Sequence, residues 1–183
     1  IEMFVFNKNV DDEFKKAAEE IVKSNATRII LYLRNNPGGL LDSAVNIAGY
    51  FLEANQVVTI ERFGDGKINE FRTQPNGLLK NYPLIVLINK GSASASEILS
   101  GALKDNRGVL LVGETSFGKG SVQEVDELTK KASVKITIAK WFTPKNVSIN
   151  ENGIKPDFEI KRTEEDAQNE KDPQLDKALE LLR

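Results

Sequence analysis

The side chains available for nucleophilic chemistry in this chain narrow to one pairing. It has no histidine and no cysteine. A Ser-His-Asp triad, a cysteine nucleophile, a disulfide and any thiolate or imidazole metal site are therefore excluded. Nucleophilic attack would fall to a serine or threonine hydroxyl, and lysine is the remaining base. A lysine accepts a proton only in its neutral form, which desolvation favours. A calcium or magnesium site built from carboxylates alone would need a ligand-spaced acidic loop, and the sequence has none.

Three segments could position such chemistry. In Leu87-Ile88-Asn89-Lys90-Gly91-Ser92-Ala93-Ser94-Ala95-Ser96-Glu97-Ile98, a buried strand runs into small residues and a helix starts directly behind them. Small side chains allow a sharp turn, and the free N–H groups of a new helix face whatever docks there, a geometry that stabilises an oxyanion. The plainer reading is that Ser92, Ser94 and Ser96 are caps and solvated loop residues. Gly113-Glu114-Thr115-Ser116-Phe117-Gly118-Lys119-Gly120-Ser121 nearly spells a phosphate-binding loop. However, Gly120 stands where a magnesium-binding Ser or Thr belongs, and no helix follows to cradle phosphates. A lysine flanked by glycines has another use, because such a backbone can press it into a tight site where burial favours the neutral amine. Asn35-Asn36-Pro37-Gly38-Gly39-Leu40 reads first as a tight turn, and an outward glycine N–H there could supply a second oxyanion donor.

The elements that would hold these loops alternate. Helical spacing of Phe14, Ala17, Ala18, Ile21 and Val22 predicts a helix over Val10–Ser24, capped near Asp11 or Asp12. Arg28–Leu33 and Leu84–Asn89 read as strands buried on both faces. Further helices are expected at Leu41–Leu52, Ser96–Lys104 and Asp172–Leu182, and Val57–Arg62 with Lys67–Arg72 as a hairpin around Gly64-Asp65-Gly66. Ile1–Phe6, Gly108–Val112 and Ser133–Ala139 with its neighbours also read as strands. Glu164–Lys171 reads as a charged linker. The result is one α/β domain, expected as a core over residues 1–162, a linker over 163–171 and a terminal helix over 172–183.

Composition excludes other classes. Twenty-five basic residues against 27 acidic ones give a formal charge of −2, with no electrostatic case for nucleic acid or an anionic membrane as partner. Apolar runs such as Ile29–Leu33 are too short to span a bilayer, and no targeting signal is visible within these residues.

In this order, the strings NNPGG, SASASEI and FGKGSVQ resemble the carboxyl-terminal processing peptidases, tail-specific proteases of peptidase family S41 with a Ser–Lys dyad. Trp141-Phe142-Thr143-Pro144 with Gly153-Ile154-Lys155-Pro156-Asp157, and Asp172-Pro173-Gln174-Leu175 with Ala178-Leu179, extend the resemblance over essentially the whole chain. It implies a ClpP/crotonase-like spiral core and a serine endopeptidase that cuts proteins near their carboxyl termini without a cofactor or metal. Carried over, Ser94 matches the nucleophile, Lys119 the general base and Gln123 the residue that orients the lysine. The N–H groups of Ala95 and of Gly39, or else Gly38, match the oxyanion hole. Tyr32 stands where the family usually has Asp, and Ser116 where Thr is expected.

The resemblance further implies extracytoplasmic work, in the bacterial periplasm or cell envelope or in the plastid lumen. It also implies a PDZ domain ahead of the core in the full-length protein, to which nothing in these 183 residues corresponds. The competing reading is a non-catalytic module of the same fold that binds a ligand or peptide. It has no need of Ser94, Lys119 and Gln123 together. A homo-oligomer formed through the terminal helix is compatible with either.

Overall fold

The computed structural model describes residues 1–129 and 132–183. Helix α1 (Val10–Lys23) buries Val10, Phe14 and Ala18 on one stripe, and strand β1 (Ile29–Tyr32) follows. Helix α2 (Leu41–Phe51) is buried along most of its length and leads into the hairpin of β2 (Val57–Phe63) and β3 (Ile68–Arg72). Strand β4 (Leu84–Ile88), helix α3 (Ala95–Arg107) and strand β5 (Leu110–Gly113) complete the centre. After them come β6 (Ser121–Thr129), β7 (Ala132–Phe142), the short β8 (Phe158–Glu159), α4 (Glu164–Gln168) and α5 (Pro173–Leu181).

Two sheets result. The parallel one has the order β1-β4-β5-β8, and the antiparallel one β3-β2-β7-β6. All five residues of β4 are buried, which explains its unbroken apolar run. Alternation along it divides the core. Val86 and Ile88 join Leu31 and Leu111 against Phe14, Ile47, Phe51, Leu99 and Leu103 of α1 to α3. Ile85 and Leu87 point the other way and pack with Val112, Phe158 and Ile160 under Leu175, Ala178 and Leu181 of α5. The parallel sheet is therefore covered on both faces, as the α/β reading requires.

Two expectations are corrected. Ile1–Phe6 is not a strand but makes two isolated bridges, Glu2 to Tyr32 and Phe6 to Gly39, because the exposed residues between them, Phe4 and Val5, make no main-chain hydrogen bond to another described residue. The segment read as a linker holds α4, whose start is fixed by a capping box: Asp166 N–H donates to Thr163 Oγ1 (3.0 Å) and Thr163 N–H to Asp166 Oδ2 (2.9 Å). The α1 N-cap is Asn9, and Asp11 and Asp12 lie in the first turn beside it, near the cap as the sequence suggests.

Candidate active site

The three loops singled out in the sequence leave the carboxyl ends of three adjacent parallel strands, β1, β4 and β5. In open parallel sheets that edge is where crevices form. It is why segments so distant in sequence meet.

Ser94 is the N-cap of α3, with φ 56° and ψ −118°. A non-glycine residue at such angles is strained and is held there only by its surroundings. The holding group is Glu97, whose side chain is wholly buried. Its Oε2 accepts the Ser94 N–H at 2.8 Å and the Lys119 N–H at 2.9 Å. Its Oε1 accepts the Ser116 hydroxyl and the Gly118 N–H, both at 2.6 Å. One carboxylate thus joins the main chain of the β4–α3 turn to that of the loop after β5. Four donors, together with the first turn of α3, offset its desolvation.

The turn of residues 35–39 closes the other side. Ala93 N–H donates to Asn36 C=O (3.0 Å), and Ser96 Oγ donates to the same oxygen (2.9 Å). Ser92 Oγ donates to Leu33 C=O (2.7 Å) and accepts the Asn89 N–H (3.0 Å). Ser92 and Ser96 are fully buried. They are therefore ties between loops, not the solvated residues of the plainer reading. A Cβ placed on Gly38 would stand 2.5 Å from Ala93 C=O and 2.8 Å from Ala95 N, so no side chain fits there.

The two glycines differ. Gly38 is buried, and its N–H donates to Asn36 Oδ1 (2.9 Å). Gly39 is exposed. In its parallel bridge with Phe6 the bonds are made by its neighbours: Phe6 N–H to Gly38 C=O (2.9 Å) and Leu40 N–H to Phe6 C=O (2.8 Å). The N–H of Gly39 points away from that bridge, and among the described residues it has no partner. Ala95 N–H, in the first turn of α3, likewise has none.

The side chains of Lys119 and Gln123 depart from expectation. Both are exposed. The glycines beside Lys119 do not press it inward. Instead they admit the chain of residues 149–153: Glu151 N–H donates to Gly118 C=O (2.9 Å), and a Cβ on Gly120 would stand 2.2 Å from Asn150 N. The main chain of Lys119 is anchored while its amine reaches solvent, with no ion pair among the described residues. Because β6 follows rather than a helix, the loop lacks the helix N-terminus of a phosphate-binding loop. Among the described residues, no three carboxylates converge as a metal site.

Glu97, Asn36, Ser92 and Ser96 carry the geometry, and residue-type reasoning missed their roles. The signal available for Glu97 was its place three residues after Ser94, the capping-box position. Arg34 is held by Asp172 and Gln174 and lies over the Tyr32 ring at 5.3 Å.

Fold and site define an α/β protein with a serine on a strained strand-to-helix turn and unpaired main-chain N–H groups beside it. The chain belongs to peptidase family S41, whose family model matches residues 1–160. It is 44% identical over 83% of its length to a carboxyl-terminal-processing protease of Picosynechococcus sp., of which it covers 36%. Its identity to a chloroplastic C-terminal processing peptidase of Tetradesmus obliquus is 36%, over 87% of this chain and 34% of that one. Among solved structures, a photosystem II D1 C-terminal processing protease matches with a TM-score of 0.80 and 34% identity, over 87% of this chain and 41% of that one. The S41 α/β core expected from the sequence is the fold observed. The chain spans about a third of the length of the curated relatives it matches. No described helix is long and apolar enough to cross a membrane.

Proposed function

We propose that this chain is the catalytic core of a serine endopeptidase acting on the carboxyl-terminal regions of proteins. The observation that carries this is Glu97, which anchors the backbones of Ser94 and Lys119 on a single carboxylate oxygen. In this reading Ser94 Oγ attacks the scissile carbonyl carbon and its proton passes to Lys119 Nζ. The oxyanion is received by the N–H groups of Ala95 and Gly39, which have no partner among the described residues, whereas Gly38 serves by its close fit against the Ser94 turn. Lys119 then protonates the leaving amine. Water, deprotonated by the same lysine, releases the acyl group from Ser94. Gln123 orients the amine by accepting a hydrogen bond through its side-chain oxygen.

Because Lys119 is exposed, the cover that favours a neutral amine comes from bound substrate or from a further domain. A tail-binding PDZ domain in the full-length protein fits that role. The names of the relatives support carboxyl-terminal regions as substrate, and the chloroplastic one supports work outside the cytoplasm, in bacteria the periplasm or envelope. Self-association through α5 is compatible with this.

The test is degradation of casein by the parent, Ser94→Ala and Lys119→Ala. Cleavage by the parent and by neither variant is expected. Undiminished cleavage by Ser94→Ala would overturn the assignment, and a parent silent even when joined to a PDZ domain would favour a non-catalytic binding module.

A further inference from the structure

We propose that Asp172 and Gln174, at the start of α5, are positioning residues for the turn of residues 35–39, acting through Arg34. This rests on the function proposed above for that turn. The family match ends at residue 160, so α5 lies outside it.

Asp172 accepts both arms of the Arg34 guanidinium, Nη1 to Oδ1 at 2.9 Å and Nη2 to Oδ2 at 2.7 Å. Arg34 Nη1 also donates to Gln174 Oε1 (2.9 Å), and Gln174 Nε2 donates to Ile160 C=O (2.7 Å). The arginine and aspartate side chains are 13% and 18% exposed, and Gln174 is fully buried. A two-pronged pair so far withdrawn from water fixes direction as well as distance, unlike an ordinary surface ion pair. The same carboxylate caps α5 by accepting the Leu175 N–H at 3.0 Å. Moving Asp172 therefore moves the helix, and the helix is held by its packing on β4 and β5.

From Arg34 the constraint continues residue by residue. Asn35 N–H donates to Asn89 Oδ1 (2.8 Å), and Asn89 Nδ2 donates back to Asn35 Oδ1 (2.8 Å). The Asn36 C=O holds Ala93 and Ser96, and Asn36 Nδ2 donates to Met3 C=O (2.8 Å). Gly39 is three residues further on. Arg34 is thus the point where the far side of the parallel sheet is tied to the unpaired N–H of Gly39. An error of about 1 Å in such a donor is costly in the transition state but small for ground-state binding.

The experiment compares the parent with Asp172→Ala and Asp172→Glu, and with Glu180→Ala as a control on the exposed side of the same helix. Deleting α5 would uncover Ile85, Leu87 and Val112, so point variants that keep the apolar packing are used. Asp172→Ala is expected to lower kcat about tenfold or more with KM nearly unchanged. Asp172→Glu should restore part of the loss, and Glu180→Ala should leave kcat unchanged. Amide exchange should quicken over residues 35–40 in Asp172→Ala and stay unchanged in α1. Unchanged exchange over residues 35–40, or an unchanged kcat, would overturn the proposal. A parent without peptidase activity would instead count against the proposed function, and the exchange measurement would still decide this inference.

Discussion

Gly38 and Ser94 approach so closely that a Cβ on the glycine would stand 2.7 Å from the Cβ of the serine. The glycine also has φ 92°, which side chains rarely adopt. Gly38→Ala is therefore expected to push the 35–39 turn off the Ser94 turn. We expect a loss of about 1–3 kcal/mol in urea unfolding and a fall of about a hundredfold in kcat. An alanine variant with parental activity would mean that this contact does not set the site.

Glu97→Gln keeps the volume of the buried side chain and turns one acceptor into a donor. Two of the four donors now facing the carboxylate would lose their partner, either those of Ser94 and Lys119 or those of Ser116 and Gly118. Each orphaned group costs about 1–3 kcal/mol, so unfolding stability should fall by about 2 kcal/mol or more. Peptidase activity should fall with it, since either orientation of the amide releases part of the loop that carries Lys119. A variant of parental stability would contradict this role.

Ser116 Oγ donates to Glu97 Oε1 and accepts the Ile154 N–H, both at 2.6 Å. Ser116→Ala leaves two buried groups short of a partner and should cost about 1–3 kcal/mol. Ser116→Thr retains the hydroxyl and should stay within about 1 kcal/mol of the parent. Equal losses in the two variants would show that volume, not the hydroxyl, is what matters.

Asp172 gives a pH dependence. Burial pushes its carboxyl up, but hydrogen bonds from Arg34 and Leu175 and the charges of Arg34 and Arg162 outweigh this and hold it below the ordinary value. A group depressed on folding stabilises the native state above its unfolded value. That stability is lost as pH falls through the folded value. The parent should therefore lose stability relative to Asp172→Asn below about pH 4, near the ordinary carboxylate value, and keep its full advantage at neutral pH. A gap between the two that is constant from neutral pH into acid would contradict the pairing.

How much the sequence disclosed follows from the range of each determinant. The apolar runs Ile29–Tyr32 and Leu84–Ile88 declared strands covered on both faces, because burial on both sides leaves no polar positions. Strand β6, with Glu124, Asp126 and Glu127, has no such pattern and was not singled out. Its structure depends on pairing with β7 across a register shift at Val122/Gln123. The serine and the glycines were legible as types suited to a sharp turn. The exposure of Lys119 was not, since the glycines beside it serve the approach of residues 149–153, a long-range fact. Nor does a sequence tell that Glu97 faces four donors rather than solvent.

The most direct test of the account is labelling with a fluorophosphonate serine reagent, with the adduct mapped by mass spectrometry in the parent, Ser94→Ala and Lys119→Ala. The account predicts one adduct, on Ser94, in the parent, none in Ser94→Ala, and strongly slowed labelling in Lys119→Ala. An adduct on another serine, or labelling of Lys119→Ala at the parental rate, would contradict it.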